Sequence, residues 1–349
     1  MPRLRIEEYQ VGWVCALPKE LTAARAMLDE EHEAYTSQVP HDNNSYVLGC
    51  IHGHNVVMAC LPAGVYGTVS AASVATNMLR TFPGIRLGLM VGIGGGIPNP
   101  HKHVDIRLGD VVVSQPDGMY GGVVQYDLGK NLGNGVFEPK GVLRPPPTPL
   151  LTALANLQSR HQMSGNQILE TLSAVAQLYP RLAKEGFVHP GPEEDTLFCG
   201  NIQGHQDGRC CTECQNGIVH RQPREEHDPE VHYGVIASGD TLIKDVSERD
   251  ELGREFGAKC VEMEAAGLMN DFPCIVVRGI CDYADSHKND VWQEYAALTA
   301  AGFAKELLAT VKPVEVVSVK QAAEELSKSH EQFPQGNHHV VLYRTNQDL

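Results

Sequence analysis

The segment KCVEMEAAGL, residues 259–268, places Glu262 and Glu264 two positions apart in an otherwise apolar stretch. If this segment is helical, residues two apart point in different directions, so the two carboxylates are not expected to act as a paired dyad. The pattern favours one glutamate facing water and the other held inside the protein for a specific contact. Two solvated acids on a helix surface are the alternative.

Two further acids follow buried strands. Asp282 ends the apolar segment VVRGICD, where partial desolvation favours a protonated carboxyl and hence a general acid, with capping of the next loop as the alternative. Glu20 lies in the first turn of a helix that begins at Pro18, a position where the helix dipole alone favours an acid. Neither residue identifies a reaction by itself.

Glycines cluster at the end of another apolar run, in MVGIGGGIPN, residues 90–99. A dinucleotide fingerprint is excluded because Ile97 stands where the last small residue is needed, and Pro98 follows instead of a helix. What remains is a tight turn or, because glycine permits close backbone approach, the floor of a small-molecule pocket. On the second interpretation Gly94 and Gly95 form that floor.

Cysteine and histidine are concentrated between residues 186 and 230. Tetrahedral zinc requires four such ligands, but this region has one Cys-x-x-Cys pair and an irregular second pair. Free thiols are therefore expected here, so no metal or other cofactor is predicted. A structural zinc site is the alternative, with Cys199, His205, Cys211 and Cys214 as its candidate ligands.

The 349 residues carry a formal net charge of −15, which argues against a nucleic-acid groove, since such a groove needs a basic face. No apolar run is long enough for a membrane span, and the first residues do not form a signal peptide. The ten cysteines are therefore expected to be reduced thiols of a cytoplasmic protein.

Alternating strand and helix patterns predict an α/β fold with helices on both faces of a sheet. Strands are expected at 10–17, 45–51, 55–63, 85–92, 108–115, 232–240 and 274–285. Helices are expected at 18–33, 67–84, 150–161, 166–182, 247–270 and 292–311, with Ser247 and Asp250 as a capping box for the fifth. One catalytic domain is predicted over residues 8–312, with an insertion at about 144–230, in which residues 186–230 resemble an insertion or lid, and with a tail at 313–349.

Five ordered motifs together resemble the nucleoside phosphorylase/nucleosidase superfamily over roughly residues 8–310. They are CALPKEL, the glycine-rich strand end, Ser-Gly-Asp, VEMEA and Arg-x-x-x-Asp. The first, with PAGVYGTVSAA, is similar to methylthioadenosine/S-adenosylhomocysteine nucleosidases, and the full pattern resembles fungal members that stand alone or precede a NOD-like receptor. The resemblance implies a three-layer α/β/α domain with a mixed central sheet.

The resemblance also implies roles around a nucleoside. Glu264 would bind the ribose hydroxyls, Met263 would pack against the sugar, and Glu262 would help to position it. Asp282 would protonate or hydrogen-bond the purine, whose ring would lie against Leu242 and Ile243.

The nucleophile is water or phosphate. In the resemblance, Met90 and Ile93 stand where hexameric phosphorylases have an arginine and a serine for phosphate, and Glu20 stands where nucleosidases have the glutamate that activates water. An anionic carboxylate repels phosphate, so hydrolysis of an adenine nucleoside or nucleotide is predicted. A phosphate-dependent phosphorylase and a non-catalytic nucleotide-sensing module are the alternatives.

The 5′ side of the sugar is expected to face the insertion. Arg221 and Arg224, with His232 beyond them, could there bind the phosphate of AMP or ATP, because guanidinium is well shaped for phosphate. Surface charges are the alternative. The resemblance further implies a symmetric homo-oligomer, a dimer first and a trimer or hexamer next.

Overall fold

In the computed structural model the described residues are 4–35, 38–99, 102, 104–133, 136–198, 217–224, 228–313, 316 and 321. The strands are β1 (Val11–Cys15), β2 (Glu30–Glu31), β3 (Tyr46–Ile51), β4 (His54–Cys60), β5 (Leu87–Gly96), β6 (Val111–Ser114), β7 (Val123–Gln125), β8 (Gly129–Gly133), β9 (Val136–Pro139), β10 (Val231–Ser238), β11 (Ala258–Glu262) and β12 (Cys274–Asp282). The helices are α1 (Pro18–Ala26), α2 (Thr68–Thr81), α3 (Thr148–Ser164), α4 (Ile168–Leu178), α5 (Pro180–Lys184), α6 (Val246–Glu255) and α7 (Gln293–Thr310).

Within these described ranges, ten strands form one mixed sheet in the order β11-β10-β6-β12-β5-β1-β4-β3-β2, with β7 paired to β10. β1 runs parallel to β4 and β5, and β5 runs parallel to β12, whereas β6 is antiparallel to β12. An additional antiparallel pairing between β11 and β5 joins the two sides, so that β5, β12, β6, β10 and β11 form a closed ring. This architecture confirms the predicted α/β fold with a mixed central sheet.

Helices cover both faces of the sheet. Val11, Trp13 and Cys15 of β1 belong to a buried cluster that includes α1, α3, α4 and α7, whereas Val14 belongs to a second cluster with α2. This alternation is the period of two expected of a strand buried on both sides. The helices α3 and α4, which lie within the predicted insertion, are therefore part of a core layer.

Glycine lets α7 lie close to β12. A Cβ atom at Gly279 would be 1.8 Å from the carbonyl oxygen of Ala296, so no larger residue fits between strand and helix. This close contact sets the position of β12 relative to α7. β12 ends at Asp282. The strand that carries Asp282 is thus held against α7 just before the acid.

The predicted helix over residues 247–270 is wrong. α6 ends at Glu255, Gly257 takes a left-handed φ of 65°, and the next residues form β11. Glycine is favoured in that conformation after a helix, and pairing of β11 with β10 and β5 overrides any helical pattern in the sequence. The predicted capping box is also wrong, because Asp245 caps α6 by accepting from the amides of Ser247 and Glu248.

The candidate zinc ligands Cys199, His205, Cys211 and Cys214 lie outside the described residues, as does most of the predicted tail. Among the helices of the described chain, none has the length and apolar character needed to cross a membrane.

Candidate active site

A cavity of about 720 Å³ is lined by residues at or just after the ends of β5, β10, β11 and β12. Ligands of α/β folds usually bind beyond strand ends. The cavity brings together most of the residues predicted from sequence, namely Glu20, Ile93, Gly94, Gly95, Leu242, Ile243, Glu262, Met263, Glu264 and Asp282.

Glu20 is buried and held by backbone amides. One carboxylate oxygen accepts from the amides of Ala16 (2.6 Å) and Leu17 (3.0 Å), and the other accepts from the amide of Ile93 (2.8 Å). The residue therefore completes the start of α1 and also joins that helix to β5. Burial raises the pKa of Glu20, against the opposing effects of Arg278 and these amides. A fixed carboxylate of raised basicity is suited to accept a proton from water.

Gly92 of β5 makes this position possible. A Cβ atom there would lie 2.4 Å from a carboxylate oxygen of Glu20 and 2.6 Å from Nη1 of Arg278. The missing side chain at Gly92 thus leaves room for the carboxylate of Glu20 and the guanidinium of Arg278 against the backbone of β5.

Arg278 is the functional residue to which sequence reasoning gave no role. It is fully buried in β12, its Nη2 donates to Glu262 and to Glu264 (3.3 Å), and its Nη1 donates to the carbonyl of Ile93 (3.2 Å). The signal was present in VVRGICD, because an arginine inside an apolar strand must be paired to be tolerated. The pKa of Arg278 is raised: burial acts against the charge, but the surrounding acids outweigh it.

The two glutamates of VEMEA have different partners. Glu262 ends β11 and accepts from the amides of Glu264 (3.1 Å) and Ala265 (3.0 Å), so it holds the turn that carries its neighbour. Both are buried and share Arg278 as a counter-ion, so the expectation that one of them faces water is wrong. Burial raises the pKa of Glu264 to about 7; Arg278 opposes this shift, and Glu262 and Glu20 add to it.

Asp282 is buried at the end of β12. Its Oδ1 accepts from the amide of Ala284 (2.8 Å), so the loop-capping alternative is also correct, and its Oδ2 accepts from Cys281 Sγ (3.0 Å). Lys288 Nζ lies 2.8 Å from the same Oδ2. Lys288 lines the cavity, and no sequence motif pointed to it.

Arg221 and Arg224 do not join these residues. They line a separate cavity of about 370 Å³, where Arg221 binds Asp195 (2.9 Å) and Tyr283 (2.8 Å) and Arg224 binds Asp110 (2.6 Å). Each guanidinium is thus already engaged by acids of the protein. Neither arginine lines the cavity that contains Glu20, Glu264 and Asp282.

His232 is close to the same acid, with Nε2 2.8 Å from Asp110 Oδ2. Together with Glu230 these two residues form a trio whose ligand atoms lie within 4.8 Å of one another. Arg224 binds both acids of the trio, so a cationic side chain already supplies the charge that a metal would bring.

A model of the phosphorylase superfamily matches residues 185–312. An NLR-like protein (nucleotide-binding leucine-rich repeat) from Hyaloscypha variabilis is 48% identical over 312 residues, which are 89% of this chain and 30% of that protein. A 5′-methylthioadenosine/S-adenosylhomocysteine nucleosidase from Mycobacterium bovis is 25% identical over 85% of this chain and 95% of its own length. The ATP nucleosidase Cap17 from Escherichia coli is 26% identical over 82% of this chain and 48% of its own length.

Solved structures with a similar fold also include nucleosidases. A 5′-methylthioadenosine/S-adenosylhomocysteine nucleosidase from Colwellia psychrerythraea, solved in complex with adenine, superimposes with a TM-score of 0.53 at 17% identity. The match covers 89% of this chain and 98% of that one. The chain spans less than half of the Hyaloscypha relative and of Cap17, so it corresponds to one part of those longer proteins.

Proposed function

We propose that this chain, which matches a phosphorylase superfamily model over residues 185–312 and is similar to nucleosidases, hydrolyses the N-glycosidic bond of an adenine nucleoside with water as the nucleophile. We assign this activity to residues 8–312. The products are the free base and the free sugar.

The observation that carries the proposal is the buried carboxylate of Glu20 on the glycine floor of the cavity. Three backbone amides fix it there, so it cannot swing away from an incoming nucleophile. A fixed anion repels phosphate but accepts a proton from water, which supports hydrolysis over phosphorolysis. Met90 lies in the apolar core and Ile93 offers no hydroxyl, so neither supplies a phosphate ligand.

Glu264 is the proposed sugar ligand. Its carboxylate lines the cavity and can accept hydrogen bonds from ribose hydroxyls, which are stronger when the acceptor is charged. Cleavage of a glycosidic bond passes through an oxocarbenium-like state, in which the sugar becomes positive. Glu264 and Glu20 both present negative charge to that sugar, while Arg278 and Glu262 hold Glu264 from behind. Met263 lines the same wall and supplies an apolar contact.

Asp282 is the proposed group at the purine edge. In the reaction the bond between C1′ and N9 breaks with its electron pair passing to the base, and a proton is added to the base. Water forms the new bond to C1′ and gives its proton to Glu20. Leu242 and Ile243 provide the apolar surface on which the ring lies. An acceptor at the purine edge suits the 6-amino group of adenine.

The proposal is tested by incubating the protein with adenosine, inosine, AMP and ATP, each with and without inorganic phosphate, and identifying the products by mass. We expect adenine and free ribose from adenosine, at a rate that phosphate does not raise. Ribose 1-phosphate as the product would make the protein a phosphorylase. No released base from any substrate would favour a nucleotide-sensing module, the function class suggested by the NLR-like relative.

We further propose that the protein is a homo-oligomer, with a dimer as its smallest form. Val65, Tyr66 and Val69 are exposed near the mouth of the cavity, and Tyr66 also lines it. Exposed apolar side chains grouped at a site mark an interaction surface. Sedimentation at micromolar concentration should show a dimer or larger species, and an active monomer would refute this assembly.

A further inference from the structure

The surroundings of Asp282 are unusual for a group that has to protonate a leaving base. Every partner of its carboxylate is a donor: the amide of Ala284, the thiol of Cys281 and the ammonium of Lys288. Donors stabilise the ionised carboxylate. An ionised carboxylate can accept a hydrogen bond but has no proton to give, so the proton must come from elsewhere.

Lys288 is placed to provide it. Its side chain is 18% exposed and its Nζ lies 2.8 Å from Oδ2 of Asp282. Burial lowers the pKa of Lys288, but the charge of Asp282 outweighs burial and leaves it above its ordinary value, so the ammonium form is present in the resting protein. The other titratable groups that act on this pair are Cys260, Cys281, Asp285 and Asp290.

A second cavity of about 260 Å³, which Glu20 does not line, adjoins the pair. Asp282 and Lys288 line both cavities, and the second is also lined by Glu193, Glu194 and His287. Its lining of acids and an imidazole offers a polar route by which a proton can return to Lys288 from solvent.

We propose that Lys288 supplies, through Asp282, the proton that the leaving purine takes up. The Nζ–H bond breaks as a proton passes to Oδ2, and the resulting carboxyl gives its proton to a ring nitrogen of the purine. Lys288 is left as a neutral amine and regains its proton from solvent. This inference rests on the proposed hydrolysis of an adenine nucleoside.

Lys288→Arg is the decisive variant. Arginine keeps the positive charge beside Asp282 but does not release its proton in proteins. We expect kcat for adenosine to fall about 10²-fold or more, the range of a lost general acid, with little change in KM. The matched control is Lys305→Arg, because Lys305 pairs with Asp29 at 2.5 Å, is 20% exposed and lies away from the cavity. Its activity should equal that of the parent.

A substrate whose leaving group needs no proton separates chemistry from structure. Hydrolysis of 4-nitrophenyl riboside releases a stable phenolate, so Lys288→Arg should cleave it within about threefold of the parent.

Each result of these experiments either supports or overturns the inference. If the parent protein releases adenine but Lys288→Arg retains turnover within about threefold, Lys288 is only a counter-ion and the inference is overturned. Equal losses on adenosine and on the nitrophenyl riboside would mean structural damage, and would also overturn it. If the parent releases no base at all, the proposed function itself fails, and this inference with it.

Discussion

Glu264→Gln should stabilise the folded protein at alkaline pH while removing most of its turnover. Three carboxylates, of Glu20, Glu262 and Glu264, surround the one guanidinium of Arg278 in a buried site. The cluster therefore carries excess negative charge when all three are ionised. A neutral amide at position 264 relieves this repulsion but cannot stabilise a positively charged sugar.

The size of the effect follows from the pKa of Glu264, which rises from 4.5 to about 7 on folding, mainly because of burial. Each pKa unit corresponds to about 1.4 kcal/mol, so ionising Glu264 costs the folded state about 3 kcal/mol. Because the folded state holds this proton more tightly than the unfolded state does, parental stability is highest below pH 4.5 and is lost as pH rises through about 7. The variant lacks this loss, so its advantage should grow over that window and stay constant above it.

The measurement is urea denaturation of the parent and the variant at pH 5, 6, 7 and 8, together with release of adenine. Glu306→Gln is the matched control: Glu306 is also buried, but it accepts from Arg160 (3.3 Å) and His161 (3.1 Å). Loss of the Glu306 carboxylate should lower the free energy of unfolding at pH 8. A Glu264→Gln advantage that is equal at pH 5 and pH 8 would refute the electrostatic reasoning.

Further outcomes follow from the same geometry. Glu20→Gln and Asp282→Asn should fold as the parent does but lose most base release, about 10²-fold or more for each; turnover within threefold in both would contradict their roles. For the parent, kcat/KM should fall about tenfold per pH unit below pH 7 as Glu264 is protonated, and a flat profile down to pH 5 would contradict this. Arg224→Ala should destabilise the protein by about 3 kcal/mol, because it leaves Asp110 buried without its guanidinium partner, while the ratio of AMP to adenosine turnover stays unchanged. A selective loss of AMP turnover would instead indicate that Arg224 contacts the substrate.

Local patterns in the sequence were sufficient for much of the fold. β1, α2, β10, β12 and α7 follow the predicted segments because each has a continuous apolar run or a helical period bounded by proline or glycine. The helix predicted over residues 18–33 is correct only at its start, because α1 ends at Ala26 and β2 occupies Glu30–Glu31. Glu20 and Asp282 were found because each comes directly after such a run. Both roles considered for them are present at once: each caps a local turn, and each also lines the cavity.

Partners distant in sequence were not predicted. The segment that contains Glu262 becomes a strand because it pairs with β10 and β5, and neither pairing is encoded in its own residues. Lys288 acquires its role by being placed 2.8 Å from Asp282, six positions earlier in the chain. Arg221 was predicted to bind the substrate phosphate because a basic side chain in an acidic protein is a plausible anion ligand. In the structure Arg221 instead forms a salt bridge with Asp195.

The bare backbone of β5 also limits how the protein could change over time. A side chain at Gly92 would have its Cβ atom 2.4 Å from Glu20, and one at Gly94 would meet the sulfur of Cys260 at 2.5 Å. A new hydroxyl or cationic group for phosphate therefore cannot be added at Gly92 while the carboxylate of Glu20 stays in place. A lineage that exchanged water for phosphate through Gly92 would need both changes, and either one alone would leave the nucleophile without its partner. At Gly92, the two reactions are therefore separated by an intermediate that selection for activity would remove.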